Sequence, residues 1–283
     1  MINILFWNAK ASKKNLSDGP KEKERIENNL INLIIERKCD IVVLAEYDLD
    51  LNALCNKISL HGRDFKIAAI AKDTRVKLII DTKFKLELLR DSAYYFIYNI
   101  KCAALEFLLS GVHLQSKLHA TNADREMVAG DLISKIQESE DLVTHKNVII
   151  VGDFNADPFE DVMVKGNMMH AIPFADIVIK KQSRKVAGKK YQMFYNPMWN
   201  FFGDLNFPYG TFYYDAGGSM NFYHNIFDQA IFSADMTKHL DRKKIKIIDS
   251  INNCSLMDCK GNPNQEIFSD HLPIFFQIKE ETV

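Results

Sequence analysis

The sequence is poor in the two residues that most often interrupt regular structure. Its 283 residues include 12 glycines and 7 prolines, well below the roughly 12% that these two residues reach in an average protein. It also lacks an uncharged apolar run of the ~18 residues that a membrane-spanning helix needs. We therefore expect no long flexible linker and no membrane span, and we predict one domain covering residues 1–283.

An excess of one charge is also missing. Lys and Arg number 36 against 37 Asp and Glu, so the net charge is −1, whereas a nucleic-acid-binding domain often has a pI above about 9. Apolar residues make up 47% and charged residues 26%, which is typical of a globular protein and excludes a disordered or fibrous chain. The composition permits a nuclease without indicating one.

Cysteines are few and irregularly spaced. Five of them, an odd number, do not form the pattern of a disulfide framework. Cys254 and Cys259 form an isolated C-x4-C pair without the second pair that a zinc site needs. The chain begins with the apolar run Ile2–Phe6 instead of the basic segment of a signal peptide. These features predict a soluble cytoplasmic protein without a membrane partner, and a monomer is the default expectation.

Hydrophobic periodicity predicts a mixed α/β (α+β) architecture. Apolar runs at 2–7 and 41–45 are typical of buried strands, and an amphipathic helix over about 20–38 joins them as in a crossover unit. A second helix is predicted over about 122–141, with Asn122 as its N-cap. Further strands are expected at 65–71, 76–80, 94–99, 104–112, 148–151, 226–233 and 273–278. Two sheets packed face to face with helices outside would accommodate these elements.

Carboxylate, amide and imidazole side chains lie at six strand ends of this scheme. They are Asn8, Glu46, His113, the run Gly152–Asn155, Asp228 and the run Ser269–His271. Ligands of sheet-based folds gather at such ends. If the ends converge, several carboxylates share one small volume, and a cation or a proton must accompany them. Hard oxygen ligands of this kind suit Mg2+ or Mn2+.

Each of these residues also has an ordinary structural interpretation. Glu46 alone would be a solvated acid, Asn8 a cap, and Asp228 a turn or surface residue. The Gly-Asp-Phe-Asn run favours a turn, and a histidine in an apolar flank, such as His113, is usually a hydrogen-bonded core imidazole. Their joint occurrence at strand ends is what favours a site.

Taken in order, these runs resemble the endonuclease/exonuclease/phosphatase superfamily, which includes abasic-site endonucleases, deoxyribonucleases, sphingomyelinases and inositol phosphatases. The resemblance covers nearly the whole chain. It rests on Phe6-Trp7-Asn8, Leu44-Ala45-Glu46, Gly111-Val112-His113-Leu114, Val151-Gly152-Asp153-Phe154-Asn155, Phe227-Asp228-Gln229 and Ser269-Asp270-His271-Leu272-Pro273. It implies a four-layered sandwich with the active site at the sheet ends.

The resemblance also implies a metal site. Glu46 stands at the family's principal metal-binding carboxylate, with Asn8 beside it. Asp270 stands at a position linked to metal or water coordination. The implied cofactor is Mg2+ or Mn2+. One departure is Ala45, where the family more often has Gln, although the glutamate that follows is the residue the chemistry needs.

Catalytic roles follow from the resemblance in the same way. Asp153 matches the residue that orients or deprotonates the attacking water, and Asn155 the one that holds a phosphate oxygen. His271 matches the histidine that faces the scissile phosphate, held by Asp228. His113 stands where some members carry a second histidine that protonates the leaving oxygen or binds a non-bridging one.

Two further positions bear on the resemblance. Ile226-Phe227 stands where many members have an Arg-hydrophobe pair before the aspartate at position 228. The resemblance therefore does not carry that arginine's phosphate contact over to this chain, whereas the Asp228–His271 pair is unaffected. Arg125 matches a common family arginine, and a purely structural role is equally open for it.

A basic and aromatic segment lies at about 180–214. Residues 180–190 hold six basic and no acidic side chains, and residues 191–214 hold 11 of the 31 aromatic residues. Such a segment could follow a phosphate backbone and stack bases, or it could be a solvated loop followed by core. We expect an insertion that rims the site. A location away from His271 would remove the main charge argument for nucleic acid.

The expected function is a metal-dependent phosphodiesterase acting on DNA or RNA. Three alternatives stay open: a phosphomonoesterase such as an inositol phosphatase, a phospholipid-type diesterase similar to sphingomyelinase, and a catalytically silent binding module on the same fold.

Overall fold

The computed structural model describes residues 1–11, 20–215 and 221–281. Its strands are β1 (Ile2–Ala11), β2 (Ile41–Tyr47), β3 (Phe65–Ile67), β4 (Val76–Asp81), β5 (Lys85–Asp91), β6 (Tyr95–Lys101), β7 (Glu106–His113), β8 (Val148–Asp153), β9 (Ala171–Ile172), β10 (Ser183–Val186), β11 (Lys189–Gln192), β12 (Phe194–Tyr195), β13 (Phe212–Tyr213), β14 (His224–Asn225), β15 (Asp228–Ser233), β16 (Lys246–Ile247), β17 (Ser250–Ile251), β18 (Cys254–Ser255) and β19 (Ile274–Ile278). Its α-helices are α1 (Pro20–Glu36), α2 (Leu51–Ser59), α3 (Asn122–Glu140), α4 (Asp161–Val164), α5 (Ala175–Lys181) and α6 (Ala234–His239).

Two large mixed sheets form the centre of the molecule. One has the strand order β16-β19-β1-β2-β4-β3 and the other β5-β6-β7-β8-β15-β12-β9. A single hydrophobic cluster joins them, with Phe6 and Val43 from one sheet and Val151 and Phe232 from the other. Helix α1 packs on the outside of the first sheet and α3 on the outside of the second. The predicted sandwich of two sheets with outer helices is confirmed.

The central strands are buried on both faces. In β1, β2 and β8 nearly every side chain is buried, because one face meets the opposite sheet and the other meets a helix. This is why their sequences are continuous apolar runs rather than alternating ones. As the crossover pattern predicts, β1 and β2 are parallel neighbours joined through α1.

Three local predictions need correction. The N-cap of α3 is Thr121, not Asn122: its hydroxyl accepts the amide of Asp124, and the Asp124 carboxylate accepts the amide of Thr121. Strand β5 was not predicted, because it is a largely exposed edge strand without regular alternation. The sequence predicts no strand or helix between residue 151 and residue 226, but this region contains several short strands and helices.

In the described parts of the chain, none of the helices combines the length and apolar character required to cross a bilayer.

Candidate active site

Three site residues are placed side by side by strand register in the seven-stranded sheet. Parallel pairing of β7 with β8 sets His113 opposite Asp153. Antiparallel pairing of β8 with β15 sets Asp228 opposite Asp153 from the other side. The three residues therefore meet at one end of the sheet, as the strand-end pattern predicted.

Gly152 permits this close approach of β7 to β8. A Cβ atom added at Gly152 would lie 1.9 Å from the carbonyl oxygen of Val112, far inside contact distance. Only a residue without a side chain therefore fits between the strands at this position. The distance between His113 and Asp153 depends on this close approach of the two strands.

The turn that precedes β19 in the six-stranded sheet places His271 beside His113, Asp153 and Asp228. The indole Nε1 of Trp7 donates to the carbonyl oxygen of His271 at 2.9 Å. The hydroxyl of Ser269 donates to the carbonyl oxygen of Asn8 at 2.8 Å and accepts the amide of His271 at 3.1 Å. The turn before β19 is thus fixed to β1 by buried hydrogen bonds, which orient the imidazole.

Asp153 is the centre of the cluster. Its Oδ1 accepts the backbone amide of Asn155 at 2.8 Å, and its Oδ2 accepts the side-chain amide of Asn8 at 3.0 Å. The same Oδ2 lies 3.7 Å from Nε2 of His113 and 4.0 Å from Nε2 of His271. The carboxylate is 1% exposed, so two imidazoles and two amides surround it in place of water.

His271 and Asp228 form a buried pair. Nδ1 of His271 lies 2.8 Å from Oδ2 of Asp228, which is completely buried. Burial lowers the pKa of the imidazole, but the Asp228 and Asp153 carboxylates more than offset this, so the pKa of His271 lies above its ordinary value. The pair therefore favours an imidazolium whose Nε2 proton faces the site.

Glu46 and Asn8 form the solvent-facing side of the cluster. Oε1 of Glu46 lies 3.4 Å from the Asn8 amide nitrogen and 3.8 Å from Nε2 of His113. Glu46 has a φ of 49°, a left-handed conformation that costs a glutamate energy and is concentrated at functional sites. Its side chain is 31% exposed, so it can reach a group that enters from solvent.

The donor set fits a hard divalent cation. The carboxylates of Glu46 and Asp153 converge on one amide group, that of Asn8. Two carboxylates that contact the same amide repel each other, and a cation or a proton relieves this repulsion. Asp153, Asp228 and His271 also offer ligand atoms within 4.8 Å of one another, but the Asp228–His271 hydrogen bond already occupies two of those atoms.

Asp270 lies at the edge of this cluster. Its carboxylate forms an ion pair with Lys10 at 2.9 Å, and it lines a groove beside the site. Its role as a metal ligand stays a prediction, as do the roles assigned to the other site residues.

Arg125 stabilises the loop that carries Asn155. Its guanidinium is 2% exposed and donates to the carbonyl oxygens of Phe154 at 3.2 Å and Asn155 at 2.6 Å. Asn155 is left-handed with a φ of 48°, and its side-chain amide donates to the carbonyl oxygen of Leu114. Of the two interpretations of Arg125, the contacts favour the structural one.

Replacing Arg125 with Met is expected to lower the free energy of unfolding by about 3 kcal/mol, because each carbonyl oxygen left unpaired costs roughly 1–3 kcal/mol. Urea denaturation measures this. The matched control is Arg242→Met, whose side chain is 57% exposed; that replacement should change stability by less than about 0.5 kcal/mol. Equal losses in the two variants would contradict the structural role of Arg125.

Two grooves border the cluster, one at Asn155 and the other at Asp270. We name the first the aromatic groove: it has a volume of about 580 Å³ and is lined by Ser116, Lys117, Leu118, Asn122, Asn155, Asp157, Phe159, Glu160, Phe212, Tyr214, Asn221, Phe222, Asn225 and Phe227. We name the second the acidic groove: it has a volume of about 810 Å³ and is lined by Phe212, Tyr213, Tyr214, Asp215, Met257, Asp258, Cys259, Lys260, Asn262, Pro263, Asn264, Gln265, Glu266 and Asp270.

Asp157 is a groove residue that the sequence analysis missed. It is 2% exposed and accepts the backbone amide of Ile226 at 2.7 Å. Burial raises its pKa to about 6. The only signal in the sequence was its position two residues after Asn155, where an acidic residue also suits a turn.

Replacing Asp157 with Asn keeps a side-chain oxygen that accepts the Ile226 amide, but it removes the carboxyl group that gains and loses a proton. The folded pKa is about 6 against an ordinary 3.8, so the parent loses stability as pH rises through this window. The stability of the variant minus that of the parent should therefore increase by about 3 kcal/mol between about pH 3.5 and about pH 7. Denaturant melts at several pH values measure this difference, and a constant difference would contradict the raised pKa.

The basic residues of 180–190 do not rim the site, and this expectation was wrong. Phe194, which follows the β10–β11 hairpin, pairs with Ser233 at the end of β15 remote from Asp228. Gln192 donates to Glu140 at the last turn of α3, whereas Asn155 contacts the first turns of α3. This helix has 19 residues and a length of about 28 Å. The hairpin register depends on local pairing, which charge composition does not reveal.

The aromatic half of the segment does reach the site. Phe212 and Tyr214 line both grooves, and the ring of Phe212 lies 4.7 Å from the ring of His271. Phe159 contacts Phe202 and Phe222 edge to face. Aromatic side chains of this segment therefore form part of the walls of both grooves.

The sequence matches no protein-family model, and a search of curated proteins finds no match. The structure, however, has the endonuclease/exonuclease/phosphatase fold, which confirms the resemblance at the level of fold. It is similar to an endonuclease/exonuclease/phosphatase family protein from Bacteroides thetaiotaomicron with a TM-score of 0.58 and 14% identity, over 97% of this chain and 96% of that chain.

Two further solved structures are similar over their full length. One is TDP2 from D. rerio in complex with a single-strand DNA product, with a TM-score of 0.58 and 14% identity over 97% of both chains. The other is a mannosyl-6-phosphatase from Bacteroides thetaiotaomicron, also with a TM-score of 0.58 and 14% identity, over 98% of this chain and 99% of that chain.

Proposed function

We propose that this chain is a divalent-metal-dependent phosphodiesterase that hydrolyses single-stranded nucleic acid. The observation that carries the proposal is the convergence of carboxylate, amide and imidazole groups around Asp153. This arrangement provides a base, a cationic donor and an oxygen-rich metal site within one volume, as phosphoester hydrolysis requires.

Glu46 and Asn8 would hold the metal, together with Asp270 if its ion pair with Lys10 opens. A divalent cation supplies positive charge that stabilises the phosphoryl oxygens as the phosphorus is attacked. Mg2+ or Mn2+ is the expected ion, because the donors are carboxylate and amide oxygens.

Side chains of the protein accept and donate the protons of the reaction. Asp153 accepts a proton from the attacking water, whose oxygen then forms the bond to phosphorus. As the bond to the leaving oxygen breaks, His271 or His113 protonates that oxygen. The Asp228 carboxylate keeps His271 protonated beforehand and fixes its ring. The side-chain amide of Asn155 donates one N–H to the carbonyl oxygen of Leu114, and its second N–H would bind a non-bridging oxygen.

The aromatic groove supports a substrate that carries flat rings. Phe159 and Phe222 offer ring surfaces beside Asn155 and Lys117, and base stacking on aromatic rings contributes about 1–3 kcal/mol per base without sequence preference. The D. rerio TDP2 structure with a single-strand DNA product has the same fold. Because the β10–β11 hairpin, which carries basic residues of 180–190, lies away from Asp228, the nucleic-acid proposal depends on stacking rather than on charge.

A phosphomonoesterase is the second candidate. Among the described groove-lining residues only Lys117 and Lys260 are cationic, which is a weak track for a long polyanion. A mannosyl-6-phosphatase shares the fold.

A substrate panel separates these candidates. The protein is assayed with single-stranded DNA, RNA, plasmid DNA, a sugar phosphate, phosphoinositides and sphingomyelin, each with Mg2+, Mn2+ or EDTA. We expect cleavage of the single strands that EDTA abolishes. Hydrolysis of the sugar phosphate or phosphoinositide alone would overturn the nucleic-acid proposal, and inertness toward every substrate would indicate a silent binding module.

A further inference from the structure

The two grooves meet at the site from opposite sides of one aromatic wall. Phe212 and Tyr214 belong to both linings. The aromatic groove reaches the cluster at Asn155, and the acidic groove reaches it at Asp270. His271 lies against this wall, because its ring is 4.7 Å from that of Phe212. If a phosphodiester binds at His271, one ester group can be directed into each groove.

The aromatic groove is close to neutral. The carboxylate of Glu160 is 2.7 Å from the ammonium of Lys117 and 3.8 Å from the guanidinium of Arg125. The buried Asp157 carboxylate accepts a backbone amide, and its charge and that of Glu160 are balanced by Lys117 and Arg125. A negatively charged strand can lie along such a surface without opposing charge.

The acidic groove has the opposite character. Its described lining carries more carboxylates than ammonium groups, and the carboxylates are those of Asp215, Asp258, Glu266 and Asp270. Lys260 lines the same groove, and Lys10 is paired with Asp270. Asp258 accepts the backbone amides of Lys260 and Asn262, and these hydrogen bonds lower its pKa, so its charge persists at neutral pH.

Charge in the second groove limits how a strand can bind. Cleavage within a strand leaves a phosphate on each side of the scissile one, so one of them would lie among these carboxylates. Like charges brought face to face strongly disfavour a complex. A terminal nucleoside that ends in a hydroxyl carries no such phosphate, and a groove of about 810 Å³ is large enough for a drug-sized ligand.

We infer that the enzyme cleaves at the end of a single strand, with the strand in the aromatic groove and an uncharged terminal nucleoside in the acidic groove. This inference rests on the proposed function. It makes Asp215, Asp258 and Glu266 determinants of specificity that discriminate against internal cleavage and against ends that carry a phosphate.

The test compares strands of one sequence that differ only in their ends. A short single-stranded DNA is prepared with hydroxyls at both ends, with a phosphate at one end, with phosphates at both ends, and as a covalent circle. We expect the hydroxyl-ended strand to lose its terminal nucleoside. Removal continues stepwise only if the phosphate leaves with that nucleoside, because the new end of the strand is then a hydroxyl. The circle and the doubly phosphorylated strand should react at least about tenfold more slowly, because their extra phosphates meet like charges.

A variant that lacks the negative charges of the acidic groove tests whether these carboxylates cause the slow cleavage of the circle. The variant Asp215→Asn/Asp258→Asn/Glu266→Gln keeps the Oδ1 acceptor at position 258. It should raise the rate of circle cleavage, relative to the rate with the hydroxyl-ended strand, at least about fivefold. The matched control, Glu87→Gln/Asp141→Asn/Asp176→Asn, removes three charges at exposed positions that line neither groove, and it should leave the ratio of the two rates unchanged.

The outcomes separate the two proposals. If the parent cleaves the circle as fast as the linear strand, or if neutralisation leaves the circle resistant, the inference is wrong and the nuclease assignment stands. If no form of DNA or RNA is cleaved while a phosphomonoester is, the proposed function is wrong and the inference falls with it.

Discussion

Replacing Asp153 with Asn is expected to lower kcat by about 10³-fold or more, because a residue that takes a proton in the reaction contributes up to about 10⁴-fold. Asn has nearly the same shape and can still accept one of the two hydrogen bonds that Asp153 receives, from Asn155 and from Asn8. It cannot accept a proton from water at neutral pH. Initial rates with a single-stranded oligonucleotide and saturating Mg2+ measure the loss.

The stability of Asp153→Asn distinguishes a loss of kcat caused by the missing base from one caused by unfolding. The thermal midpoint of Asp153→Asn should stay near that of the parent, since the exchange removes a buried charge and one hydrogen bond together. Glu87→Gln, an exposed carboxylate on the outer strand β5, is the matched control and should keep full activity. A variant at position 153 that retains more than about a tenth of the parent's kcat would contradict the role of Asp153 as a base.

Replacing Gly152 with Ala is expected to be among the most destabilising single changes in the chain. The added methyl group would lie 1.9 Å from the carbonyl oxygen of Val112 and 2.6 Å from a methyl carbon of the same residue. Strand β7 would have to separate from β8, which would break backbone hydrogen bonds in the centre of the sheet. We expect a loss of more than about 4 kcal/mol, measured by urea denaturation.

Gly130→Ala is the matched control for this prediction. Gly130 lies within α3, and the nearest atoms to an added Cβ are 3.8 Å away, which is ordinary contact. Alanine in a helix interior is favoured over glycine by about 1 kcal/mol, so this variant should be as stable as the parent or more so. If Gly152→Ala loses no more stability than Gly130→Ala, the strand approach that places His113 beside Asp153 is wrong.

The sandwich fold could be predicted because each of its central strands corresponds to a continuous apolar run in the sequence. A strand buried on both faces requires a continuous apolar run, as in Ile41–Leu44, and an outer helix requires apolar residues at helical spacing, as in α3. Edge elements carry no such constraint. Strand β5 was missed for this reason, and the short strands after β8 form only because neighbouring strands offer hydrogen bonds.

The convergence of the site could be predicted for the same reason, whereas its surroundings could not. Asp153, Asp228 and His113 are strand-end residues, so the order of strands brings them together. The position of the basic hairpin depends instead on which end of β15 the following strand joins, and a sequence of charges does not contain that information. The two grooves likewise depend on how loops around Phe212 and Glu160 pack.

The central claim is that Glu46 and its neighbours hold a divalent metal that phosphoester hydrolysis requires. Its most direct test is reconstitution: the chelated protein is titrated with Mn2+, and both ion binding and oligonucleotide cleavage are followed in the parent, in Glu46→Gln and in the control Glu87→Gln. We predict that cleavage by the parent and the control rises with site occupancy, while Glu46→Gln stays folded but loses both. Full activity of the chelated parent, or unchanged Mn2+ binding and cleavage in Glu46→Gln, would contradict the claim.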